Sequence, residues 1–169
     1  MKQSFLARRR VALGFVFALF VLYLARPTVG SMALGAAVAA IGQGIRLWAA
    51  GHLEKSREVT ISGPYQFMRH PLYVGSSIMA AGVAIGCRSW VVAILVGVYM
   101  VSTIAAAIRS EEAFLRERFG SAYDEYAANR APKAVRTFSW ERAWRNREYR
   151  AMSGLAAFLG LLVLRMVVR

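Results

Sequence analysis

Five apolar runs, Val11 to Ala25, Val29 to Ala50, Leu72 to Cys87, Trp90 to Ile108 and Met152 to Val168, take up more than half of this chain. Hydrocarbon offers no partner to a backbone N–H or C=O, so such runs must be helical wherever they meet lipid. The second run holds about 22 residues, enough at ~1.5 Å each to cross a ~30 Å hydrocarbon core. With 57% hydrophobic residues and a mean hydropathy of +0.41, the chain is too apolar for an ordinary soluble domain. The expected fold is therefore all-α and integral to a membrane, a single domain over residues 1–169 with about five transmembrane helices.

Each run carries its own marks. Arg8-Arg9-Arg10 precede the first, as in a signal peptide, yet no small-x-small cleavage site leads to a polar start and further apolar runs follow, so a first transmembrane helix is expected. After Pro27, the second run repeats Ala36, Ala40 and Gly44 at every fourth position, a spacing that lets a neighbouring helix approach closely; Gly82 and Gly86 form a similar pair in the third. Near the end of the second run stands Arg46, which either snorkels to the interface or faces a polar cavity. The third run is short for a full crossing. With Arg88-Ser89 as a tight turn, the third and fourth form a helical hairpin whose two ends face one side of the membrane. From Ser110 to about Asn129, Phe114, Leu115, Phe119, Tyr123 and Tyr126 recur at helical spacings against charged neighbours. That pattern predicts a cytosolic amphipathic helix lying on the membrane face and covering the preceding loop. Residues 130–150 are strongly basic and include Trp140 and Trp144, a composition suited to anchoring on anionic lipid. Met152 to Val168 is expected to be a fifth transmembrane helix.

The net charge of +13 flanks the apolar runs and does not form a patch interleaved with exposed aromatics, which argues against nucleic acid. Lys and Arg concentrate at the start, in the 51–70 loop and over 109–150, whereas the turns at 26–28 and 88–89 hold one Arg each. Positive charge stays on the cytoplasmic side, which places the amino terminus and both polar clusters there in a multi-pass protein. One cysteine and two histidines leave no disulfide and no zinc-type ligand set, so no metal is expected.

Chemistry concentrates in two clusters. The first is Gly63-Pro64-Tyr65-Gln66-Phe67-Met68-Arg69-His70-Pro71-Leu72-Tyr73-Val74-Gly75. It follows an extended stretch at 58–62 and a Gly63-Pro64 turn, and Pro71 opens a helix whose Leu72, Tyr73 and Val74 N–H groups are expected to be unpaired. The second is Arg109-Ser110-Glu111-Glu112, followed by Phe119-Gly120, Tyr123 and Tyr126. Sharing one membrane face, the two can bring Arg69, His70, Tyr65, Tyr73, Arg109, Glu111 and Glu112 around a single pocket. Carboxylates there suit an ammonium or ribose hydroxyls, and Arg, His and helix N–H groups suit a carboxylate. The plainer reading of the same charges is that they anchor helix ends.

These residues resemble the isoprenylcysteine carboxyl methyltransferase family, which is similar to the phospholipid N-methyltransferases. The resemblance covers about residues 50–130 and rests on both parts of the signature. It implies S-adenosylmethionine as cofactor, held on the cytosolic side without a dinucleotide-binding domain; no G-x-G-x-x-G follows a strand here. It also implies that His70, Pro71, Leu72 and Tyr73 line the cofactor with Tyr65 and Arg69 beside it, that Val59 and Thr60 contribute from the loop, and that Glu111 or Glu112 grips it. Arg109 falls nearest the position of a substrate-orienting arginine, so Arg109 and Glu111 are the expected catalytic pair. A methyl group on a sulfonium needs alignment and exclusion of water more than acid-base help, and a carboxylate acceptor needs no base. An amine acceptor would need one, from His70 or a glutamate. The implied partner is a lipophilic or lipid acceptor entering from the bilayer, an isoprenylcysteine-type carboxylate or a phospholipid amine. A non-catalytic membrane scaffold and a nicotinamide-dependent reductase fragment are the competing readings.

Overall fold

The computed structural model describes residues 5–132 and 135–168. It contains α1 (Phe5–Leu24), α2 (Val29–Ala50), a 3-10 turn at Gly63–Gln66, α3 (Pro71–Cys87), α4 (Trp90–Phe119), α5 (Ser121–Ala127), α6 (Trp140–Arg145) and α7 (Glu148–Val168), with no strand among the described residues. The all-α expectation holds. Three helices, α2, α4 and α7, are long and apolar enough to cross a membrane, and Gly14–Leu24 and Pro71–Cys87 are shorter apolar helices.

Local chemistry sets the boundaries. Thr28 caps α2, its side chain accepting from Ser31 N while the Ser31 side chain accepts from Thr28 N. This reciprocal pair satisfies two of the amide donors that every helix start leaves open. Arg88 closes α3 in the left-handed conformation (φ 48°), and Ser89 Oγ accepts from Val92 N to start α4. The expected tight hairpin turn is thus present.

Helix α4 departs from expectation. The sequence pattern ends the crossing helix at Ile108 and starts an amphipathic helix at Ser110, whereas the helix runs unbroken for 30 residues to Phe119. Nothing between Trp90 and Phe119 stops a helix. There is no proline, and the change from apolar to charged side chains at 109 alters the solvent around the backbone, not its hydrogen bonding. The break comes at Gly120 (φ 52°), after which α5 turns back. At ~1.5 Å per residue α4 is about 45 Å long, so its last turns project beyond a ~30 Å hydrocarbon core.

The core of the bundle is α2 against α3. A Cβ at Gly35 would lie 2.5 Å from Gly82 O, one at Gly82 would lie 2.5 Å from Ala39 N, and one at Gly42 would lie 2.5 Å from Met79 N. The backbones touch because these side chains are absent. The contact stripe on α2 is therefore Gly35, Ala39 and Gly42. It is not the expected Ala36, Ala40 and Gly44, since Ala40 and Gly44 are exposed and nothing lies within 4 Å of a Cβ at Gly44. A helix so rich in Ala and Gly repeats small residues on more than one face, and only the partner selects among them. Both glycines of the expected pair pack: Gly82 as above, and Gly86, whose N would lie 2.6 Å from a Cβ at Gly35.

Val21, Ala25, Met32, Cys87, Val92, Val96 and Leu162 gather α1, α2, α3, α4 and α7 into one buried cluster. At the other end of α2, Ala49, Tyr65, Tyr123 and Tyr126 form a second, in which α5 covers the loop as expected. The carbonyls ending α2 are satisfied from far along the chain. Asn146 Nδ2 donates to Ala50 O and to Leu53 O, both at 2.9 Å, and Arg142 Nε donates to Gly51 O at 2.8 Å. Arg136 pairs with Glu58 at 2.6 Å and Arg145 with Glu54 at 3.1 Å. The basic stretch is thus first a strap that binds the 51–58 loop. Lys133, part of that stretch, lies outside the described residues.

Candidate functional site

The site forms where the end of α2, the 53–60 loop, the 3-10 turn with the start of α3, the polar part of α4, α5 and the start of α7 meet. Gly63 takes φ 58°, and a Cβ there would lie 2.6 Å from the His52 ring, so only glycine permits this entry into the 3-10 turn that carries Tyr65. Pro71 begins α3 and makes His70 its non-helical cap (φ −129°, ψ 59°). The N–H groups of Tyr73 and Val74 are not open to a ligand as expected: both donate to His70 O at 3.1 Å, because the cap carbonyl accepts the first helical bonds.

Across from this turn lies the polar end of α4. His70 Nε2 and Glu112 Oε1 are 3.1 Å apart, Arg69 Nη1 is 3.5 Å from the same oxygen, and Glu111 Oε2 is 4.0 Å from His70 Nδ1. The Tyr73 hydroxyl reaches Glu111. Tyr126 Oη donates to Tyr65 O at 2.9 Å and locks α5 over the turn. Burial, reinforced by the neighbouring Tyr123, pushes the Tyr126 phenol up to about 12. Burial, with the Glu111 carboxylate adding to it, also raises the Tyr65 phenol.

These groups line a cavity of about 770 Å³, a volume in the range of small-molecule sites. Val59, Thr60, Tyr65, Arg69, His70, Pro71, Leu72, Tyr73 and Glu111 all contribute to its wall. Glu112 stands behind the wall and holds His70 and Arg69. Arg109 is not brought in. Its side chain is exposed and outside the wall, because at ~100° per residue it points away from the face that carries Ala106, Ala107, Ser110, Glu111 and Phe114.

Another arginine is present instead. Arg46 lines the cavity, its Nε 2.8 Å from Glu148 Oε1 and its Nη2 2.9 Å from Glu148 Oε2; Nη1 donates to Ser76 Oγ and, at 3.4 Å, to Leu72 O. Gln43 Nε2 donates to Glu148 Oε1 at 2.9 Å. Of the two readings left open for Arg46, the polar cavity is the one realised. Sequence reasoning missed Glu148 because it sits among basic residues at the start of α7 and reads there as a local counter-ion. The usable signal was an arginine inside one apolar helix together with an acid opening another, since charges at membrane depth are paired.

A second cavity, of about 880 Å³, runs between α3 and α4 from Arg88 and Trp90 at the hairpin turn to Ser77 and Ile108 near the polar site, past Ala80, Ala84, Ala93 and Gly97. Its wall is almost wholly apolar. Along both helices it ends within one turn of residues that line the first cavity.

The sequence model of the phospholipid methyltransferase family matches residues 30–122, which take in α2 from its second residue, α3, α4, the first polar cluster and the second as far as Gly120. The chain belongs to the phospholipid methyltransferase family. It is 35% identical over 102 residues to a nickel-cobalt-cadmium resistance protein of Alcaligenes xylosoxydans xylosoxydans, covering 59% of this chain and 45% of that one. It is 35% identical over 82 residues to protein-S-isoprenylcysteine O-methyltransferase B of Arabidopsis thaliana, covering 48% and 41%. With the protein-S-isoprenylcysteine O-methyltransferase of Schizosaccharomyces pombe it shares 29% over 98 residues, 58% of this chain and 42% of that one. The chain therefore spans less than half the length of these relatives. No solved structure matches it. The resemblance drawn from His70 and the Glu111-Glu112 pair is met by the family match. Glu148 and the strap lie beyond the matched residues.

Proposed function

We propose that this protein transfers a methyl group from S-adenosylmethionine to a lipophilic acceptor, an isoprenylcysteine-type carboxylate, at the cytosolic membrane face. Methyl transfer in the membrane is the common ground of the family and of the two isoprenylcysteine relatives. The observation that carries the finer reading is the 3.1 Å contact between His70 and Glu112, residues from two distant segments, at the edge of a cavity also lined by Tyr65, Tyr73 and Glu111.

The residues fit the cofactor. Glu111, with its side chain 43% exposed and touched by the Tyr73 hydroxyl, keeps lone pairs to accept from an ammonium or ribose hydroxyls, while Glu112 is engaged with His70, Arg69 and Arg116. Arg69 is the cation for its carboxylate, with the His70 ring beside it in the cavity wall, and Tyr65, Leu72 and Tyr73 supply apolar surface that excludes water. When bound, S-adenosylmethionine supplies a sulfonium-activated methyl group. Arg46, charge-compensated by Glu148 and held in one orientation by it, is the guanidinium in the cavity wall that would orient an acidic acceptor, and no residue has to remove a proton from a carboxylate. The apolar groove between α3 and α4 is of a size and lining for the acceptor's hydrocarbon tail. Basic residues in the 51–70 loop and over 109–150 support the cytosolic assignment of this face.

Amine methylation is the second reading, favoured by the description of the matching family. It would need a base, and His70 is the one imidazole in the cavity wall among the described residues. Purified protein in nanodiscs is titrated calorimetrically with S-adenosylhomocysteine, then supplied with methyl-labelled cofactor and either a farnesylated cysteine or phosphatidylethanolamine. A methyl ester releases labelled methanol in alkali and a methylamine does not. Absence of S-adenosylhomocysteine binding at millimolar ligand would remove the enzyme reading altogether.

A further inference from the structure

We propose that the strap between Val135 and Arg150 is a docking surface for the anionic phospholipid head groups of the leaflet on the pocket side. The inference does not depend on the methyl-transfer reading. Its first support is exposed apolar surface: Val135 is 98% exposed and Trp140 and Trp144 are each 69% exposed. Exposed tryptophans beside a crossing helix belong at the membrane interface, where an amphipathic ring sits at head-group level.

The second support is depth. Ring contacts run from Phe67 through Trp48, His52 and Phe138 to Trp140, with centroids 5.0 to 6.5 Å apart. Trp48 occupies the last turn of α2, and Tyr149, stacked on Trp144, the first turn of α7. Both are ends of helices long enough to cross. The strap is therefore held at the bilayer edge and not out in water.

The third support is charge left over once structural needs are met. Arg136 and Arg145 are tied to Glu58 and Glu54, and Arg142 to backbone carbonyls. Arg147 and Arg150 are exposed and have no carboxylate partner among the described residues; Arg150 lies over the Tyr149 ring. One acid of the strap, Glu141, is exposed, and the other, Glu148, is buried against Arg46. Guanidinium groups at head-group depth bind phosphate through paired donors and gain from negative surface potential. Tryptophans alone would suit a neutral bilayer equally well, so the unpaired arginines make the surface selective for negative charge.

The chain has four tryptophans, and the Trp48→Phe/Trp90→Phe variant leaves Trp140 and Trp144 as reporters. It is reconstituted in phosphatidylcholine vesicles containing equal mole fractions of either dibrominated phosphatidylglycerol or dibrominated phosphatidylcholine. Fluorescence should be quenched about twofold more by the anionic lipid at low salt, and the difference should close as salt screens the surface. Adding Arg147→Gln/Arg150→Gln should erase the preference while leaving S-adenosylhomocysteine titration unchanged. Equal quenching by the two lipids at low salt overturns the proposal, as does a preference that survives in the arginine variant. The salt series without the arginine changes decides the matter even if that variant fails to fold.

Discussion

Arg46 and Glu148, 102 residues apart in the chain, meet as a two-pronged ion pair with contacts of 2.8 and 2.9 Å, their side chains 19% and 4% exposed. The fork of a guanidinium matches the two oxygens of a carboxylate, and Gln43 adds a donor to the same group. Desolvating two charges costs more than packing two apolar side chains in the same space, so the pair is weak evidence for stability and stronger evidence for a role in the cavity it lines.

That pair can be broken from either end. Glu148→Ala leaves the part-buried Arg46 guanidinium without its counter-ion, held only by Ser76 and Leu72 O, and should lower stability by about 3 kcal/mol, the lower end for a broken buried pair. Glu148→Gln, which keeps hydrogen bonding and shape, should cost less. Thermal unfolding of both variants in the same detergent checks the order. A silent Glu148→Ala would show that the pair does not form.

The His70 and Glu112 contact makes a paired prediction. His70→Ala or Glu112→Gln should each weaken S-adenosylhomocysteine binding by about 1.5–3 kcal/mol, the size of a lost charge-assisted contact. The double variant should lose less than the sum, because one group positions the other. Arg109→Ala, outside the cavity wall, should change the dissociation constant by less than about twofold, in line with the small effect of surface changes. A large loss there would restore Arg109 to the site.

Helix contact through absent side chains is tested by Gly82→Leu. A Cβ at this position already lies 2.5 Å from Ala39 N and 2.6 Å from Gly35 O, both backbone atoms that cannot give way alone. The variant should fail to yield monodisperse protein on size exclusion, whereas Gly44→Leu, with open space around it, should behave as the parent does. Equal behaviour of the two would contradict the register of α2 on α3.

Tyr126 reports on the clasp over the Tyr65 turn. Tyr126→Phe removes a buried donor to Tyr65 O and should cost about 1–3 kcal/mol at neutral pH. The phenol ionises near 10 in an unfolded chain and near 12 when folded. Its contribution is complete below pH 10 and is lost as pH rises toward 12, because only the unfolded state has released the proton in that interval. Stability of the parent should therefore fall across pH 10–12 more steeply than that of Tyr126→Phe, as chemical denaturation at several pH values will show.

Much of this was readable from residue order. The apolar runs named the helices, Pro71 and Arg88-Ser89 marked the hairpin, and the two polar clusters held seven of the expected wall residues of the cavity together with Glu112 behind it, while Val59 and Thr60 came only from the family resemblance. Those features are local: hydropathy, proline geometry and short spacings act within one turn or one crossing, so they appear in sequence whatever the tertiary arrangement. The register of α2 on α3, the exclusion of Arg109 and the arrival of Glu148 beside Arg46 were settled only in three dimensions. Each depends on which of several equivalent helix faces meets a distant partner, and that choice is made by packing between helices.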